Sequence, residues 1–168
     1  MKVATRSDVY YIYLYMNTLC KPIHKKKHHR CDMFVHLVKV VVRVRKYRQG
    51  IKYGIHISPN ACGYGLHIPH IVSGVIINAS RVGNYCIFNT GVVIGNKDCQ
   101  ENRPTIGDNC EFAIGSKVYG KITIGDNVIA APNSVVYKDV ESGMVMSGVP
   151  AQVIGRNKKN SMTHLEKT

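Results

Sequence analysis

From Val82 onward, aliphatic or aromatic residues return at every sixth position: Val82, Phe88, Ile94, Ile106, Phe112, Val118, Ile124, Ala130 and Val136. Glycine follows the repeated residue at Gly83, Gly95, Gly107 and Gly125, with Asn or Asp next in line. A six-residue period sustained this long marks a solenoid of short strands, a parallel β-helix built from hexapeptide repeats. Three hexads make one triangular coil of about 18 residues, and successive coils stack at about 4.8 Å, the strand-pairing distance. Ile106 is therefore expected over Ile124, and Phe112 over Ala130. Gly and Asn/Asp at the corners are expected to take the left-handed conformations of tight turns. A β-sandwich would need a period of two, which the stretch lacks. The slot at Gln100 fails inside GNKDCQENRP, so that segment is predicted to loop out of the coil.

The first third of the chain is different. Residues 1–53 hold 13 Lys+Arg against 2 Asp+Glu, a formal +11, whereas residues 54–168 hold 10 against 8, a formal +2. The composition break at Tyr53 divides the chain into a basic helical region (1–53), a β-helix (54–156) and a tail (157–168). Ser7 and Asp8 can cap a helix through Cys20, and DMFVHLVKVVVRVRKYRQG reads as a second helix from a cap at Asp32 to a stop at Gly50. The fold expected is mainly β, a β-helix preceded by short helices.

The basic patches HKKKHHR (24–30) and RVRKYR (43–48) read as solvated faces. Nucleic-acid signatures are absent, so no nucleic-acid partner is expected, while peripheral contact with an anionic membrane fits the charge. No signal peptide is apparent, and no stretch approaches the ~20 apolar residues of a membrane span. Six scattered cysteines suit a reduced compartment, and a cytoplasmic protein is expected. Cys20, His24, His28, His29 and Cys31 match no zinc spacing, and no metal is expected.

His67 and His70 open the repeat region. From the residues alone His70 reads as a corner histidine. Counting back by sixes from Val82 passes Ile76 and lands on His70, which would place a polar ring in an aliphatic slot.

Residues 53–156, roughly two-thirds of the chain, carry SPNACGYGLHIPH, GVIIN, RVGNYCIFNTGVVIGN, PTIGDNCEFAIGSKVYGKITIGDNVIAAPNSVVYKDV and SGVPAQVIG. This series resembles the serine acetyltransferases, hexapeptide-repeat enzymes with a left-handed parallel β-helix. The histidine twelve residues before VGN, the looped insertion ending in proline and the terminal GVPAQVIG are the specific features. The resemblance implies direct transfer of an acetyl group from acetyl-CoA to a hydroxyl, with His70 as general base and no acyl-enzyme. An imidazole, with a pKa of about 6.5, suits that role at neutral pH, and backbone amides would hold the oxyanion. His67 matches no catalytic position.

The chain departs from that family at three points. An acidic residue before the catalytic histidine is here Pro69. The aspartate that orients the base is here His56, aligned on Pro59. The Arg-His-Pro that closes the loop is here Asn102-Arg103-Pro104. A neutral imidazole at His56 can accept a hydrogen bond from His70 but brings no negative charge. Asp98 and Glu101 in the loop are the alternative carboxylates. Asn102 and Arg103 are the candidate acceptor-binding residues. The resemblance places acetyl-CoA in a groove between neighbouring β-helices, lined by Gly95, Ala113 and Ala131, with Arg156, Lys158 and Lys159 toward its phosphates. It implies a homotrimer, with pairing of trimers open. L-Serine is the first acceptor to expect. A sugar hydroxyl in capsule or surface-polysaccharide synthesis is the second, and a non-catalytic trimeric scaffold is the alternative from another class.

Overall fold

The computed structural model describes residues 40–41, 44–45, 47–48, 50–59, 61–70 and 74–158. The helix expected from Ser7 to Cys20, the Cys20–Cys31 cluster, the 24–30 patch and Lys159 lie outside the described residues.

The described residues between 40 and 53 are helical. The stop expected at Gly50 comes four residues later. Gly50 stays within the helix, and Gly54 turns the chain with φ +64°, a conformation that penalises any side chain with a Cβ.

The repeat then builds three parallel sheets. Face A stacks β1 (Ile55–Ile57), β2 (Val75–Ile77), β5 (Val93–Gly95), β8 (Lys117–Tyr119) and β11 (Val135–Val136). Face B stacks β3 (Arg81–Val82), β6 (Thr105–Ile106) and β9 (Thr123–Ile124). Face C stacks β4 (Ile87–Phe88), β7 (Glu111–Phe112), β10 (Ile129–Ala130) and β12 (Met144–Gly148), and β13 (Ala151–Arg156) folds back antiparallel on β12. Ile106 lies over Ile124 and Phe112 over Ala130, as the period requires.

The interior is a set of side-chain ladders. Ile57, Ile77, Ile94, Val118 and Val136 line face A, Val82, Ile106, Ile124 and Val140 face B, and Ile68, Phe88, Phe112, Ala130 and Met146 face C. Phe88 and Phe112 stack with ring centroids 4.9 Å apart.

The irregular slot is resolved by the register. Val82 pairs with Ile106, 24 positions on, whereas Ile106 pairs with Ile124, 18 positions on. One whole hexad is therefore expelled between β5 and β6, where the chain forms a short 3₁₀ turn at Gln100–Asn102.

Two expectations need correction. The period of six slips between β2 and β3: Val75 and Ile77 are buried while Ile76 faces outward, so the interior step from Ile77 to Val82 is five. His70 therefore occupies no aliphatic slot. It is exposed, and Ile68 fills the interior position beneath Phe88. The repeated glycines also serve a different purpose from turning. Gly83, Gly107 and Gly125 do not adopt positive φ; the left-handed residues are Tyr85, Asn109 and Asn127, two positions later. A Cβ at Gly107 would lie 2.8 Å from the Asp126 amide nitrogen, and one at Gly125 2.6 Å from that of Ser142. These glycines let the next coil approach.

The following polar residue ties the coils together. Asn84 Oδ1 accepts from the Tyr64 amide (2.9 Å), Asp108 Oδ1 from Asn84 (2.8 Å), Asp126 Oδ1 from Asp108 (2.7 Å) and Ser142 Oγ from Asp126 (2.9 Å). Each side chain satisfies an amide of the coil before it.

Ser116 and Ser134 are fully buried in a column that continues from Ile55, Val75 and Val92. Ser134 Oγ donates to the Ala131 carbonyl at 2.7 Å, while Ser116 Oγ has no partner among the described residues. An unpartnered buried hydroxyl costs about 1–3 kcal/mol. Ser116→Ala is expected to raise stability by roughly 1 kcal/mol and Ser134→Ala to lower it by about as much. Urea unfolding of the two variants checks the contrast.

Candidate active site

Two corners of the triangle carry the residues singled out by the sequence. Where face C turns into face A, Ile68 is anchored in the core and the chain emerges at Pro69 and His70, both exposed. One coil above, Thr90 Oγ1 donates to the His70 carbonyl at 3.1 Å, which fixes the backbone from which the imidazole projects. No hydrogen bond to the ring itself is present among the described residues. Thr90 was not foreseen, because the first coils step by 20 and 17 positions rather than 18. Counting one coil up from His70 across that irregularity would have found it.

Ala113 and Ala131 stand at the same edge of face C. The strand residues before them, Phe112 and Ala130, are paired, and the Ala113 amide donates to the Ala130 carbonyl. With Asn89 one coil below, they form a half-buried column of short side chains. The amides of Asn89, Ala113 and Ala131 are each engaged by the next coil, so the strip offers a flat surface of small side chains near an exposed histidine rather than free backbone donors.

The corner between faces A and B carries the rest. Gly95 ends β5, paired with Tyr119, and a Cβ there would meet only the Tyr119 ring at 3.9 Å. The expelled hexad is held by its own backbone: Lys97 donates to Asn102, Asn102 to Cys99, and Asn96 Nδ2 to the Cys99 carbonyl. Arg103 Nε donates to the Gln100 carbonyl at 2.8 Å, and Asn102 is half-buried beside it. Glu101 is fully exposed, and its carboxyl is held below its ordinary range, first by a hydrogen bond from the Cys99 thiol, then by its own amide and by Arg103.

Within one chain the two corners are separated by face A. His70, Ala113 and Ala131 are together on one side, and Gly95, Asn102 and Arg103 on the other. His56 lies between them, exposed on the outer surface of β1 and paired with Ile76 of β2. Arg156 pairs with Met144, and the Asn157 amide donates to the Gly143 carbonyl. Arg156 and Lys158 thus sit toward the corner between faces B and C, at the opposite edge of face C from Ala131.

Two interior-facing thiols, Cys62 and Cys110, make poor nucleophiles. Burial, with Cys86 nearby, pushes the Cys62 thiol up to about 12, and the Cys110 thiol is raised by its hydrogen bond with Cys86 and then by burial. Cys86 Sγ donates to the Gly107 carbonyl at 3.2 Å and Cys110 Sγ to that of Gly125 at 3.1 Å. These thiols stitch coils together.

No family model matches the chain. Over 86 residues it is 33% identical to the serine acetyltransferase of Synechococcus elongatus, a match covering 49% of this chain and 35% of that enzyme. Its fold is similar to the crystal structure of Neisseria gonorrhoeae serine acetyltransferase, with a TM-score of 0.64 and 26% identity over 81% of this chain and 53% of that one. The structure of that enzyme in complex with serine gives a TM-score of 0.60 and 27% identity, covering 71% of this chain and 50% of the other. The chain thus spans about a third of the sequence relative and about half of the solved one. It is serine acetyltransferase-like in sequence and in fold, and its architecture is the left-handed parallel β-helix of hexapeptide repeats.

Proposed function

We propose that this chain transfers an acetyl group from acetyl-CoA directly to a hydroxyl, with L-serine the first acceptor. The observation that carries the reading is the corner between faces C and A. There an exposed histidine, its backbone fixed by Thr90, stands at the edge that carries the short side chains of Ala113 and Ala131. The similarity to serine acetyltransferases supports the same reading.

In the proposed reaction the His70 imidazole takes the proton of the acceptor hydroxyl as its oxygen attacks the thioester carbonyl. Backbone amides stabilise the oxyanion of the tetrahedral intermediate. The intermediate collapses by breaking the C–S bond, and the imidazolium returns its proton to the departing CoA thiolate. To orient the base, His56 on the outer surface of β1 would need to accept a hydrogen bond from His70 that is not made among the described residues, and it brings no carboxylate charge.

Gly95 and Arg103 join this site when the corner between faces A and B of one copy packs against the His70 corner of another. The exposed Ile76, Ile114, Tyr119 and Tyr137 are available for such packing, and the homotrimer that the resemblance to serine acetyltransferases implies is the assembly we propose. Light scattering on the purified chain is expected to give three times the monomer mass.

A sugar hydroxyl is the second reading. Pro69 and the pair Asn102–Arg103 stand where the family holds its amino-acid substrate, and Arg103 is already engaged with the Gln100 carbonyl. Release of CoA, followed with L-serine and with a panel of sugars, separates the two. Release dependent on serine establishes the first reading, and release dependent only on a sugar replaces it with the second.

A further inference from the structure

We propose that the helix between residues 40 and 53 is a docking surface for an anionic lipid bilayer, on which it lies flat. At about 100° per residue, Val40, Val44, Tyr47 and Ile51 fall on one arc of roughly 60°. All four face solvent, with 55%, 53%, 71% and 67% of their surface exposed. Such a continuous apolar stripe is the core-facing pattern of a helix that has something to cover it.

The arc beside the stripe is cationic. Arg45, Arg48 and Lys52 fall on it together with Val41, and all four are exposed. Lys52 Nζ reaches over the Tyr53 ring, 5.2 Å from its centroid. No carboxylate is near in sequence to neutralise these groups, since the chain has no Asp or Glu between Asp32 and Asp98. Like charges flanking the seam oppose its pairing with the same helix of a second copy. A nucleic acid would satisfy the cations but leave the apolar stripe in water. An anionic bilayer takes both: headgroups meet Arg and Lys while Val, Tyr and Ile enter the boundary with the acyl chains. Among the described residues no helix is long and apolar enough to cross a membrane.

Vesicle flotation of the full chain tests the proposal. Binding is expected to vesicles of phosphatidylcholine containing roughly one-third phosphatidylserine, and not to phosphatidylcholine alone. Arg45→Glu, Arg48→Glu and Lys52→Glu together are expected to weaken it roughly a hundredfold or more. Val44→Ser with Ile51→Ser is expected to weaken it about tenfold at unchanged charge. Circular dichroism confirms that each variant keeps its fold, and the milder Gln substitutions at the same three cations give an intermediate loss. The proposal is overturned if the wild-type chain ignores anionic vesicles, or if the charge variant binds them as well as wild type. It is overturned equally if a single-stranded RNA binds more tightly than the vesicles, with no contribution from Val44 and Ile51. It also fails if the serine substitutions lower the oligomeric mass while leaving vesicle binding intact.

Discussion

Replacing His70 by alanine is expected to lower kcat for CoA release by two to four orders of magnitude, about the range by which a positioned general base accelerates such a transfer. Acetyl-CoA binding should survive, because the strip of Asn89, Ala113 and Ala131 is built from face C and does not depend on the imidazole. His70→Gln, which keeps a hydrogen-bonding side chain but cannot take up a proton, should be nearly as impaired. Thr90→Val, which removes the 3.1 Å tether on the His70 carbonyl, should cost much less. Steady-state kinetics with calorimetric titration of acetyl-CoA checks all three. Turnover unchanged in His70→Ala would move the base elsewhere.

Phe112→Ala is expected to be the most damaging core substitution. The ring is fully buried, stacks on Phe88, and sits in mid-ladder where Ala130 above it leaves no bulk to refill the space. Truncating a buried phenylalanine costs about 3–5 kcal/mol. In a chain of this size that corresponds to a fall in Tm of roughly 10 °C or more. Thermal unfolding followed by circular dichroism reads it directly. A Tm near that of wild type would mean the coils do not depend on the phenylalanine column.

The β-helix was legible because its period is a direct record of its geometry: one buried residue per short strand, three strands per coil. From Ile106 onward the reading holds residue by residue. It fails where the period breaks. Nothing in the spacing announces that Val75 and Ile77 turn inward and Ile76 outward, and that slip carried His70 wrongly into an interior slot. The glycines show a second limit. Their recurrence was visible, but the reason for it, close approach of the next coil, lies in residues such as Asp126 and Ser142 a full coil further along the chain.

The candidate site was legible only in part. His70 stood out through resemblance, whereas Thr90 is tied to it solely by stacking across the coils. Gly95 and Arg103 lie at a different corner of the chain from His70, a separation that the six-residue spacing alone does not display. The solvent-facing stripe of the leading helix was likewise beyond reach. Apolar residues at helical spacing ordinarily predict burial.

The most direct test of direct acetyl transfer at a hydroxyl is the initial-velocity pattern of the full chain, with acetyl-CoA and L-serine or the active sugar varied together. Attack within a ternary complex predicts intersecting double-reciprocal lines, and protein that gains no acetyl mass when incubated with acetyl-CoA alone. Parallel lines with an acetylated protein, or no turnover with any acceptor although acetyl-CoA binds, would contradict the account.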